Sequence, residues 1–99
     1  MFRLTVVDSS SEEKWILQGQ LTRELAPELI ENWRVSCDRC PDRSRVVDLS
    51  DVTMIDKSGE DVLLEMIHLH ASFIATGLYT RVLLEELQAR VQGKDRKAD

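Results

Sequence analysis

Three groups of residues in this chain have the types and spacing that chemistry would need. The first is Asp56-Lys57-Ser58-Gly59, a polar turn that follows the apolar run Val46, Val47 and Leu49 and opens a segment of helical periodicity. The first N–H groups of a helix have no partner inside it, so a turn placed there can hold a carboxylate, a hydroxyl or a phosphate. The second group is Cys37-x-x-Cys40, with His68 and His70 further along. The third is acidic: Asp48, Asp51 and Asp56.

The C-x-x-C spacing belongs to redox and zinc sites. Here it closes a helix-patterned segment, where the dipole opposes a thiolate, so redox catalysis is not expected. His68 and His70 end the next helix on the same side of the sheet and would complete a two-Cys, two-His zinc set. Residues two apart on a helix diverge, however, and the expected arrangement is a buried Cys37, an exposed Cys40 and His70 at the core margin, with no metal. The three aspartates fall in a strand, just after it and at a helix start. No nucleophile, base and orienting group converge, and no glycine-rich loop cradles a phosphate. The expected role is binding, not catalysis, with no cofactor.

The elements that position these residues follow from periodicity. Phe2, Leu4 and Val6 alternate with Arg3 and Thr5, and Trp15–Leu21 follows a serine-rich turn, which predicts a hairpin with Gly19 at a close backbone approach. Thr22 is a candidate cap, and a helix starts between Arg23 and Pro27 with Leu25, Leu29, Trp33 and Cys37 on one face. It ends at Cys-Pro. After the Val46–Leu49 strand and a brief link, Val62, Leu63, Met66, Ile67 and His70 mark a second helix. Ser72–Thr76 reads as a fourth strand, and Leu83, Leu84, Leu87 and Val91 mark a third helix that ends at Gly93. The order is β-β-α-β-α-β-α. It implies a mixed four-stranded sheet with helices mainly on one face. Trp15 and Trp33 are expected in the core.

Ninety-nine residues suit one domain, expected over 1–92 with a charged, frayed tail at 93–99. The formal net charge of −5 argues against nucleic acid, whose phosphates demand basic surfaces. No apolar run is long enough to span a membrane, so no membrane insertion is expected. The amino end, Met1 to Asp8, is too short and too soon interrupted for a secretory leader, which makes the cytoplasm the expected compartment.

Val-Val-Asp-Leu-Ser-Asp-Val-Thr-Met-Ile-Asp-Lys-Ser-Gly, at 46–59, resembles the central signature of STAS domains, the family of sulphate transporters and bacterial anti-sigma factor antagonists. Gln-Gly-Gln-Leu-Thr with Leu-Ala-Pro-Glu-Leu resembles its second strand and first helix. Phe-Ile-Ala-Thr-Gly-Leu-Tyr-Thr with Leu-Leu-Glu-Glu-Leu resembles its fourth strand and following helix. The resemblance covers about residues 2–92.

It implies a partner switch in transcription regulation. The domain binds a kinase-type anti-sigma factor, and phosphorylation of a hydroxyl at the strand-to-helix turn, which adds about −1.5 to −2 charges, breaks the complex. The family places two hydroxyl residues between Asp and Gly, and the first accepts the phosphate. Here that position is Lys57, and Ser58 is the remaining candidate acceptor, set against its use as a helix cap. The partner surface expected from this resemblance and the topology is Asp56, Lys57, Ser58 and Gly59, with Leu64 and His68 on the helix and Tyr79 at the neighbouring turn. An alternative is a domain that binds a nucleotide or another anion through Lys57 and the helix start, or serves as a transporter accessory. Many family members continue with another strand and helix, so an exposed sheet edge and a homo-oligomer are also expected.

Overall fold

The computed structural model describes residues 2–9 and 11–97, the side chains of residues 92–97 excepted. Its elements are β1 (Phe2–Asp8), β2 (Glu12–Leu21), α1 (Ala26–Arg39), β3 (Ser44–Ile55), α2 (Lys57–His68), β4 (Ser72–Ile74) and α3 (Leu78–Lys97). The order β-β-α-β-α-β-α is the expected one. The strands form one mixed sheet, β1-β2-β3-β4, with β1 antiparallel to β2 and the other neighbours parallel.

Alternation along the strands sorts the two faces. Trp15, Leu17, Val47 and Leu49 are buried, while Lys14, Ile16, Gln18, Val46 and Asp48 between them stay half-exposed on the face that no helix covers. Against the buried face pack Ala26, Leu29 and Trp33 of α1, Val62, Leu63 and Met66 of α2, and Leu83, Leu84 and Leu87 of α3. Trp15 and Trp33 meet edge to face with ring centroids 5.1 Å apart, which makes the pair the centre of the α1 contact. A bidentate ion pair from Arg34 to Glu65, both bonds 2.7 Å, joins α1 to α2 on the surface.

Several boundaries differ from the sequence reading. β3 does not stop at Leu49 but runs to Ile55, directly into the turn. Two register shifts against β2 each add a residue to β3, so Val52 and Ile55 reach the core at a spacing of three, which a period-two pattern misses. Gly19, beside the second shift, has φ 100°, and this left-handed backbone is the reason for glycine there. Thr22 meets α1 through its carbonyl, which accepts the N–H groups of Leu25 and Ala26 at 3.0 and 2.9 Å.

α2 stops at His68, two residues earlier than the pattern suggests. His70 takes φ 66° and the Ala71 N–H returns to the Met66 carbonyl at 3.1 Å, a closure usually made with glycine. His70 is therefore exposed and not at the core margin. α3 continues through Gly93 to Lys97, past the expected helix end. Among the described residues no helix is long and apolar enough to cross a membrane.

Candidate functional site

The ends of β2 and β3 deliver the turn at 56–59 to one edge of the molecule, where three further contacts fix it. The Asp56 N–H donates to the Leu21 carbonyl at 3.1 Å. One carboxylate oxygen of Asp56, Oδ1, accepts the Gly59 N–H at 2.9 Å and so caps α2, while Oδ2 accepts the Arg23 N–H at 2.9 Å. These bonds, the Gly59 one foremost, hold the Asp56 carboxyl below its ordinary value. Gly59 is buried against β2. A Cβ there would lie 2.5 Å from the Leu21 carbonyl oxygen and 2.9 Å from Ile55 Cγ2, so the helix start can approach this closely only with glycine.

Tyr79, in the first turn of α3, secures the other side. Its hydroxyl donates to the Ile55 carbonyl at 3.2 Å and accepts the Ile55 N–H at 3.3 Å. β4 pairs with β3 only from Val46 to Asp48, so the phenol serves Ile55 beyond the reach of β4, while β2 pairs with it through Leu21. Sequence reasoning placed Tyr79 near the turn as a surface residue, and the structure adds this anchoring bond.

Lys57 points outward as the first residue of α2. Ser58 is half-buried and its hydroxyl has no hydrogen bond among the described residues, because Asp56 has taken the cap considered for the serine. Leu64 is half-buried and packs on the core margin, whereas His68 is exposed at the far end of α2. Leu78, Tyr79 and Val82 add an exposed apolar patch at the start of α3, with Leu78 77% exposed. Leu78 and Val82 fall off the Leu83, Leu84 and Leu87 stripe, the one signal that could have found them.

The other groups do not assemble into a site. Cys37 and Cys40 are free and half-buried, and burial pushes the Cys37 thiol up despite the charge of Arg45. Among the described residues no three His, Cys, Asp or Glu side chains gather in a metal-holding group, so the set of Cys37, Cys40, His68 and His70 is not formed. The aspartates have separate tasks. Asp48 accepts the Ser50 N–H at 2.9 Å, Asp51 accepts from Gln18 at 3.1 Å, and Asp56 caps α2.

A buried charged cluster at the other end of the parallel strands was missed. Glu13 and Arg45 are opposite each other on β2 and β3 and are 6% and 8% exposed. Glu13 Oε1 accepts from Trp15 Nε1 at 2.6 Å and Ser36 Oγ at 2.5 Å, with Arg45 Nε at 3.4 Å. Arg45 in turn donates to the carbonyls of Ser36, Cys40 and Arg43 and so closes the end of α1. Burial opposes the charge on Glu13, but the Ser36 and Trp15 bonds and the two arginines outweigh it and leave its carboxyl below the ordinary value. The inward alternation Glu13, Trp15, Leu17 and Arg45, Val47, Leu49 was the available signal.

No protein-family model and no curated protein matches the chain. Solved structures do. An anti-sigma factor antagonist from Mycobacterium paratuberculosis aligns with TM-score 0.72 and 20% identity over 98% of this chain and 82% of that one. The anti-sigma factor antagonist SpoIIAA in its unphosphorylated form aligns with TM-score 0.66 and 14% identity over 94% and 99% of the two chains. A STAS domain, an antisigma-factor antagonist from Rhodobacter sphaeroides, gives TM-score 0.54 and 20% identity over 79% and 88%. The likeness is one of fold: this chain has the SpoIIAA-like STAS fold.

Proposed function

We propose that this chain is a non-enzymatic regulatory domain of the anti-sigma factor antagonist kind, acting over residues 1–92 as a single unit in the bacterial cytoplasm. It engages a kinase-type anti-sigma partner through Asp56, Lys57, Ser58 and Gly59, with Leu64 and His68 of α2 and the ring of Tyr79 extending the contact. The observation that carries this reading is the anchoring of the turn from three sides, by Leu21, Arg23 and Tyr79, which leaves Lys57 presented outward on a fixed backbone. A preorganised surface binds without a large ordering cost.

In this reading Lys57 occupies the position where the family accepts phosphate, so a permanent positive charge stands in place of a switchable one. Ser58 is the remaining acceptor, and its unengaged hydroxyl favours that role more than a capping serine would. The anion-binding alternative loses its motive, because the Asp56 carboxylate already occupies the N-terminal end of α2.

The test is capture of the partner from the native host, followed by binding measurements with the purified partner. Incubation of that complex with ATP and mass spectrometry then reads phosphate on Ser58. An interaction indifferent to Lys57→Glu would remove the turn from the interface.

A further inference from the structure

β1 forms one edge of the sheet along its 7 residues, whereas β4, the opposite edge, has 3. A strand paired on one side only presents a row of free N–H and C=O groups on the other. The hairpin decides which residues present them. The Ser9 N–H donates to the Glu12 carbonyl at 2.8 Å, in register with the β1–β2 ladder, so alternation turns the polar groups of Val7, Thr5 and Arg3 toward β2. Those of Leu4 and Val6 point away from the sheet. β1 has no proline and no register shift to blunt this edge, and its one carboxylate, Asp8, is held by Arg43 at 2.7 Å.

α1 flanks the same edge and runs alongside β1 in the same direction. Phe2 and Leu4 share a cleft with Glu28, Val6 and Asp8 share one with Val35 and Arg39, and Asn32 lines both. Asn32 is therefore level with Thr5, midway between Leu4 and Val6. Glu28, Asn32, Val35 and Arg39 follow helical spacing, so they form one stripe on the flank that faces out over β1. The stripe has an acid near one end and a base at the other, and neither Glu28 nor Arg39 has an ion-pair partner within 4.0 Å among the described residues. Val6 and Val35 beside them are 43% and 45% exposed.

We propose that this edge pairs with a second copy of the chain, β1 antiparallel to β1, about a two-fold axis that passes through Thr5 perpendicular to the sheet. Leu4 then exchanges both backbone bonds with Val6 of the second copy, and Thr5 meets Thr5, with no like charges opposite. The same axis lays the two α1 helices antiparallel on one face. Because Thr5 is level with Asn32, it sets Glu28 against Arg39 of the second copy and Asn32 against Val35, and it covers the exposed valines. Shifting the axis along β1 to Arg3 would put Arg3 against itself, and shifting it to Val7 would leave Phe2 and Leu4 unpaired. One operator thus satisfies the backbone, the apolar surface and the charges, as a self-complementary contact requires. The turn at 56–59 lies away from β1 and stays open in both copies, so the pairing does not depend on the function proposed for that turn.

Sedimentation equilibrium of the full chain over a concentration series tests the pairing, and wild type should approach twice the chain mass. Glu28→Arg and Arg39→Glu, both at exposed positions, each set like charges together twice across the axis and should weaken the dimer by at least about tenfold. The double variant restores opposite charges and should return to within about threefold of wild type. Hydrogen exchange reads the edge itself: the Leu4 and Val6 amides, unbonded in a single copy, should exchange more slowly as concentration rises. A monomer mass up to about 1 mM, single reversals without effect, a double variant no tighter than the singles, or Leu4 and Val6 exchange that ignores concentration would overturn the proposal.

Discussion

The Oδ2 atom of Asp56 accepts the backbone N–H of Arg23 at 2.9 Å, so one carboxylate ties together two loops 33 residues apart in sequence. The same residue caps α2 through its other oxygen. Asp56→Ala removes both bonds and should lower the thermal midpoint and expose the Arg23 and Gly59 amides to hydrogen exchange. Because the folded-state acidity of Asp56 is depressed, its contribution is complete above the ordinary value of 3.8 and is lost as pH falls through the folded value. The gap in midpoint between wild type and Asp56→Ala should therefore close in acid.

Gly59→Ala tests the close approach of α2 to β2. The added methyl meets the Leu21 carbonyl oxygen, a backbone atom that cannot rotate away. Overpacking of this kind costs about 1–3 kcal/mol, readable as a lower urea midpoint. An unchanged midpoint would mean that the helix start is free to withdraw.

Tyr79→Phe keeps the ring and removes the hydroxyl that serves both polar groups of Ile55. The expected loss is about 0.5–1.5 kcal/mol, with faster exchange of the Ile55 amide. Loosening there reaches Asp56, the next residue, so partner affinity should fall with it.

Glu13→Gln leaves the Arg45 guanidinium buried without its counter-charge, and should cost about 3 kcal/mol by chemical denaturation. The Glu13 carboxyl lies below its ordinary value of 4.5, so its stabilisation is present above that pH and disappears as pH falls through the folded value. Wild type should lose stability in that acid range more steeply than Glu13→Gln.

The element order was legible because each segment follows one period, two in Phe2–Val6 and about four in Leu25–Cys37. β3 escaped that logic at its second half, where two extra residues shift Val52 and Ile55 out of alternation. His70 carries a positive φ that nothing in its type announces. At the site, the turn residues were visible as a motif, while their anchors were not. The Arg23 N–H and the Tyr79 hydroxyl reach the turn across 33 and 24 residues, and only the folded sheet brings them there. Glu13 and Arg45 could have been found, since both sit at inward positions of otherwise apolar alternations, but charge at those positions reads as a strand end.

The central claim is that the outward lysine on the anchored turn meets the partner. The most direct measurement is the dissociation constant of the purified partner for wild type, Lys57→Glu and Arg39→Ala, each confirmed as folded. Reversal of the charge at Lys57 should weaken binding by at least about tenfold, while Arg39→Ala, at the far end of the strands, should leave it within about twofold. Equal affinities for wild type and Lys57→Glu would contradict the account.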